Sequence, residues 1–145
     1  QLHELKRLCY SKYGIPLSQI PSVIGIPVRD QYVIETPLLE WQAYIYFRCV
    51  HKTAADSIIS LYSVHQQLLK LENNKKIKLR SLPLIKEINT IVPIQSYLTI
   101  LSGLGILEDI GNHNFKKKSN PTIPLSIEQA MKEDEKVLSR LNLSY

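Results

Sequence analysis

The run Pro93-Ile-Gln-Ser-Tyr-Leu-Thr-Ile-Leu-Ser-Gly-Leu-Gly-Ile-Leu107 decides how this chain folds. Proline tolerates the first turn of a helix, where its missing N–H costs nothing. Behind Pro93, residues Ile94, Tyr97, Leu98 and Leu101 recur at helical spacing and predict a helix from Ile94 to Leu104 with one apolar face. Gly105 supplies its C-terminal stop. From Ile94 to Leu104 there is no charged residue, and the polar groups are Gln95, Ser96, Tyr97, Thr99 and Ser102.

Towards the N-terminus, Ser81 and Pro83 open a shorter helix with Leu84, Ile85 and Ile88 inward. The Asn89 to Val92 turn joins it to the next helix, so the pair reads as a helix-turn-helix. A polar basic loop, Asn73 to Arg80, precedes it. Before that loop, Thr53 with Asp56 resembles a capping box opening a helix with the stripe Ile58, Leu61, Tyr62, His65, Leu68 and Leu69, ending near Glu72. Thr36 and Pro37 are an N-cap and first-position signal for the stretch Leu38 to Val50, which is apolar on nearly every side and belongs at the centre of a fold or in an interface.

Towards the C-terminus, Ile106 to Ile110 reads as a strand, Gly111 to Asn120 as a polar turn carrying Lys116, Lys117 and Lys118, and Thr122 to Leu125 as the returning strand of a wing. Ser126 with Gln129 opens a closing helix with Ile127, Ala130, Met131, Val137, Leu138 and Leu141 inward and Glu133, Asp134 and Glu135 outward. The expected fold is mainly α (α+β): a winged helix-turn-helix with a small β-hairpin wing. Residues 37–145 form that domain. Residues 1–36 form an N-terminal helix (Leu2 to Tyr13, stopped by Gly14) and an extended arm, in which Ile24 to Val28 and Tyr32 to Ile34 are candidate edge strands and Pro16, Pro21 and Pro27 oppose helix.

Composition agrees with one globular domain. The chain has 145 residues, 44% hydrophobic and 21% charged, and no apolar run approaches the roughly 18 residues of a membrane span. It starts at Gln1 and its single Met is Met131, which reads as a piece of a longer protein. Eighteen Lys and Arg against 13 Asp and Glu give a net charge of +5, enough to permit contact with nucleic acid or an acidic protein and too little to establish either. Cys9 and Cys49 sit inside apolar helical patterns and read as buried free thiols of an intracellular protein.

The run Pro93 to Leu107, followed by a hairpin and by Ile123-Pro-Leu-Ser-Ile-Glu-Gln-Ala-Met131, resembles the C-terminal winged helix of the origin-recognition large subunit and loader family. In that family a helix ending in a Leu-Gly pair leads into the wing, and a hydrophobic strand leads into an acidic closing helix. The resemblance covers roughly Pro37 to Leu141, with motifs of low specificity, and the Asn73 to Arg80 loop and the helix after it are longer than the family pattern. The bias towards Ile, Asn and Lys looks like budding yeast, where the family has a silencing branch. That branch implies a nuclear homodimerisation module of telomeric and other heterochromatin, partnered by itself and, through its parent molecule, by other silencing or chromatin proteins.

Surplus hydrophobicity agrees with self-association, and so does the bland alternative that the arm packs over the first long helix of the same chain. The candidate partner-binding residues are Ile24, Ile26, Val28, Tyr32, Val33, Leu39, Trp41 and Tyr44, with Trp41, Tyr44 and Tyr32 as aromatic anchors. The alternative is duplex binding by an origin-binding or loader protein. Its candidate phosphate contacts are Lys75, Lys76, Lys78, Arg80, Lys116, Lys117 and Lys118, although solvated charge runs need no ligand, and the uncharged helix disfavours base readout.

No catalytic constellation is legible. His3, His51, His65 and His113 lack metal-ligand spacing, none of the five glycines lies in a phosphate-cradling pattern, and no nucleophile motif occurs. The expectation is no enzyme, no metal and no cofactor.

Overall fold

The structure is a computed structural model that describes residues 23–80 and 89–118. The expected helices at Leu2–Tyr13, Ser81–Ile88 and Ser126–Leu141, the strand Thr122–Leu125, and Cys9 lie outside the described residues.

The stretch that is apolar all round becomes α1, Leu38–Ile45, which continues without a break as a π-helical segment, Tyr46–His51. Trp41, Ala43, Ile45, Tyr46, Phe47 and Val50 are completely buried. Burial on every side is what a helix without a polar face demands, and each large apolar side chain removed from water contributes about 1.5–3 kcal/mol. Pro37 rather than Thr36 caps α1: the Pro37 carbonyl accepts from the Glu40 and Trp41 N–H groups, and the Thr36 hydroxyl instead accepts from Lys78 N at 2.8 Å.

The helix expected to open at Thr53 opens later. Thr53 Oγ1 donates back to the Cys49 carbonyl at 2.7 Å, so no capping box forms there. Ile58–Ser60 are extended as β1, and α2 runs Leu61–Asn73 from the Ser60 N-cap, whose hydroxyl accepts from Ser63 N at 3.0 Å. Two adjacent signals compete for one helix start, and β1 wins because it finds a partner in β3. α3 spans Ile91–Gly103, two residues beyond Pro93 on the N-terminal side. Its end is a Schellman motif: Gly105, at φ +82°, donates to Ser102 O, and Ile106 N donates to Leu101 O.

The hairpin is tighter than expected. β2, Leu107–Gly111, turns through Asn112 and His113, both at left-handed φ, directly into β3, Asn114–Lys117. Two residues with φ > 0 match the twist of the flanking strands, and both residue types tolerate that region. Lys116 and Lys117 therefore lie on the returning strand, and Lys118 directly follows it. The sheet is antiparallel in the order β1-β3-β2, with Ile59 opposite Phe115 and Leu107 opposite Lys117. The fold is thus α+β, with three helices and a small three-stranded sheet among the described residues.

One core joins these elements. Leu61, Val64, Leu68 and Leu71 of α2, Ile94, Tyr97, Leu98 and Leu101 of α3, and Ile59, Leu107 and Phe115 of the sheet meet α1 there. Trp41 and Tyr97 pack edge to face with centroids 5.9 Å apart. The arm closes the core from outside: Val23, Ile24, Ile26 and Val28 are buried, and Tyr97 Oη donates to Val23 O at 2.8 Å. Buried Gln42 holds the arm as a neighbouring strand would, accepting from Gly25 N and Ile26 N, both at 2.8 Å, and donating to Ile26 O at 2.6 Å. In place of an edge strand at Tyr32–Ile34, Gln31–Val33 form a 3-10 turn, and Ile34 makes a single bridge to Leu79.

Candidate functional site

Helix α3 buries one face and turns Gln95 and Thr99 to solvent, with Ser96 at the boundary. The arm crosses beside this face. Arg29 N donates to Ser96 Oγ at 3.1 Å, which places an exposed arginine against a helix that has no charge of its own. Next along the arm, Asp30 takes a left-handed φ and starts the turn that exposes Tyr32 to 54%. The basic loop docks on that turn: Arg80 N donates to Val33 O at 3.0 Å and Arg80 Nε donates to Tyr32 O at 2.8 Å. Chain segments some fifty residues apart thus meet where Arg80 docks on the turn that follows Arg29, and Arg29, Tyr32 and Arg80 are all exposed on this ridge.

On its other side α3 faces the hairpin turn across a crevice of about 400 Å³. It is lined by the polar residues Gln95, Thr99, Asn112 and His113 and by the edges of the core residues Leu61 and Phe115. Asp109 also lines it, but its Oδ1 accepts from Gly111 N at 2.9 Å and serves the turn. The His113 carbonyl accepts from Leu61 N at 2.9 Å, fixing the turn to the start of α2.

The candidate partner-binding residues lie mostly inside the chain. Trp41 is fully buried, Tyr44 is 4% exposed, and Ile24, Ile26, Val28 and Val33 are all core residues. Leu39 is half-buried against the same core. The arm and α1 cover one another here, and among the eight Tyr32 alone is exposed.

The candidate phosphate contacts divide. Lys117 is 2% exposed, and its Nζ donates to Val50 O at 2.5 Å and Thr53 O at 3.2 Å, capping the end of the π-helical segment from inside. Burial holds its pKa below the usual lysine value. Its ammonium is thus turned to the Val50 and Thr53 carbonyls and away from solvent. Lys116 faces Asp56 at 3.9 Å, and Lys118 pairs with Glu108 at 2.7 Å. That second contact lowers the Glu108 pKa and raises that of Lys118. Lys75, Lys76 and Arg80 are exposed, and Lys78 lies 3.4 Å from Glu35.

Arg29 is the functional candidate that sequence reasoning missed. Its signal was an Arg-Asp-Gln turn inside an otherwise apolar arm. Asn112 and His113 were legible only as part of a longer polar turn.

Chemically reactive groups are muted. Burial pushes the Cys49 thiol up to about 11, against a smaller opposing effect of Arg48. His65, whose Nε2 lies 2.7 Å from Thr90 Oγ1, is lowered by burial, and His51 is lowered by burial and by Lys117. No group of His, Cys, Asp and Glu suited to a metal ion occurs among the described residues. No helix there is long and apolar enough to cross a membrane.

Comparison with known proteins supplies the family. The family model described as competence protein CoiA, C-terminal domain, matches residues 1–131. Competence protein CoiA of Bacillus subtilis (strain 168) is 31% identical over 81 residues, which are 56% of this chain and 22% of that protein. The chain therefore spans less than a quarter of the curated relative it matches. No solved structure matches. These findings overturn the resemblance to the origin-recognition family, and with it the silencing, heterochromatin and telomere roles, the origin-binding alternative, the silencing and chromatin partners, and the nuclear location. The features behind that resemblance, a glycine-stopped helix feeding a hairpin, follow from chain geometry wherever those elements meet.

Proposed function

This chain belongs to the family of CoiA C-terminal domains, and from that premise we propose that it is a non-catalytic winged-helix domain of a competence protein that holds nucleic acid by its backbone without reading base pairs. The winged-helix reading draws on the order α1-β1-α2-α3-β2-β3 among the described residues and on a sheet with β3 in its middle. In this arrangement α3 is the presented helix and the β2–β3 hairpin is the wing. The arm from Val23 belongs to the same unit, since Gln42, Tyr97 and Ser96 all bind it.

One observation carries the function: the outward face of α3 offers hydroxyl and amide groups with Arg29 beside it and no charge on the helix. Ser96 and Arg29 can meet phosphate and sugar, whereas specifying a base-pair sequence needs several bidentate side chains along the helix, and this face carries one, Gln95. Fluorescence anisotropy with labelled DNA tests it. Affinity is expected to fall about tenfold between about 50 and about 200 mM salt, as counterion release at two or three phosphates requires. Absence of binding at the lower salt, or affinity independent of salt, overturns the reading.

A further inference from the structure

We infer that the crevice between α3 and the β2–β3 turn receives an unstacked base of a single-stranded nucleic acid, while the flanking phosphates lie on Arg29 and Arg80. This rests on the nucleic-acid reading above and adds to it the type of strand and the seat of the base.

The chemistry of the two surfaces is divided. Among the residues lining the crevice, Gln95 and Asn112 each carry an amide that both donates and accepts, Thr99 a hydroxyl and His113 a ring, next to Leu61 and Phe115, whose side chains are almost wholly buried. That is the environment of an uncharged, planar, hydrogen-bonding group. The crevice holds a carboxylate, Asp109, and no cation, so a phosphate is disfavoured there. Its volume of about 400 Å³ lies in the range of small-ligand pockets. The cations stand on the neighbouring ridge, where Arg80 has spent one of its five donors on Tyr32 O and Arg29 adjoins Ser96. Ser96 and Thr99 are three residues apart on α3, roughly 4.5 Å along its axis, so one strand can touch both surfaces.

The strand type follows from access. A paired base shows only its edge in a groove, whereas a base in single-stranded nucleic acid can leave the stack and enter a recess. Tyr32, 54% exposed beside Arg80, offers a second ring for a neighbouring base. The walls are also held in place: Asn112 and His113 sit in left-handed turn positions, and the His113 carbonyl is bound by Leu61 N.

The test is anisotropy on the 145-residue chain with three labelled probes: a mixed-sequence single strand, the same strand carrying abasic sites, and its duplex. The intact single strand is expected to bind about tenfold more tightly than either other probe, the scale of one stacked base. Gln95→Ala and His113→Ala should each narrow the preference for the intact strand over the abasic strand several-fold. Because the abasic probe uses the unaltered protein, misfolding of a variant cannot mimic the result. Equal binding of intact and abasic strands, or of duplex and single strand, overturns the inference while salt-sensitive binding still upholds the backbone reading. No binding of any probe overturns both.

Discussion

Gln42 does more for this fold than its residue type suggests. Its amide answers three backbone groups of the arm, so removing it strands buried donors and an acceptor, and each stranded group costs about 1–3 kcal/mol. Gln42→Leu, which keeps volume and loses every bond, is expected to destabilise the chain by about 2–4 kcal/mol in urea denaturation. Hydrogen exchange at Gly25 and Ile26 should accelerate together, while the β2–β3 amides stay protected relative to global unfolding. Nothing in the sequence marked this role, since a glutamine on an apolar helix shows its partners only when the arm is in place. His65 offers a second measurement. Its pKa is depressed in the fold below the unfolded value of about 6.5, so the unfolded chain takes up the proton first as pH falls. Its contribution to stability is complete above about pH 6.5 and is lost as pH drops towards the folded-state value; His51 has the same sign. Urea midpoints should fall between about pH 7.5 and about pH 5.5. His65→Gln should reduce that slope, and an unchanged slope would remove His65 from the explanation.

Among the elements, the helices were legible where local chemistry closes them. The Pro93 start and Gly105 stop of α3 lie within a few residues of the helix they bound, and the structure moves the ends by no more than a few positions. The sheet was only half legible. Ile58–Ser60 pair with residues 114–116, so β1 is stabilised by a strand far away in sequence, and a three-residue segment carries no periodicity of its own. The tight turn was hidden because Asn112-His113 replaces the usual Asn-Gly, leaving the polar run to look longer than it is. The two helix ends permit a comparison. α2 closes with the same Schellman bonds as α3, Lys75 N to Glu72 O and Lys76 N to Leu71 O, but places Lys75 at φ +59° where α3 has Gly105. Lys75→Gly should therefore stabilise by about 1 kcal/mol. Gly105→Ala should destabilise by a similar amount from backbone strain alone, because an added Cβ there meets nothing within 4 Å. Thermal denaturation of both variants checks the pair, and a shift of the same sign in both would contradict it.

Across the whole molecule, the position of each charge matters more than its number. The net charge of +5 left nucleic acid open, and the lysine-rich wing was its most conspicuous source in the sequence. Folding retires that source: Lys117 enters the interior, while Lys116 and Lys118 acquire carboxylate neighbours. The ridge of Arg29 and Arg80 forms in exchange, from an arm and a loop that no local pattern connects. This redistribution predicts the response of binding to salt. Each phosphate contact on a single strand contributes about 0.7 to the slope of log affinity against log salt. Replacing Arg29 and Arg80 together by Ala should lower that slope by about 1.4. Replacing Lys116 and Lys118 together should change it less, because Asp56 and Glu108 stand beside them. Circular dichroism on both double variants separates a lost contact from a lost fold. A wing substitution that lowers the slope as much as the ridge substitution would place the nucleic acid on the hairpin and refute the assignment to the arm and basic loop.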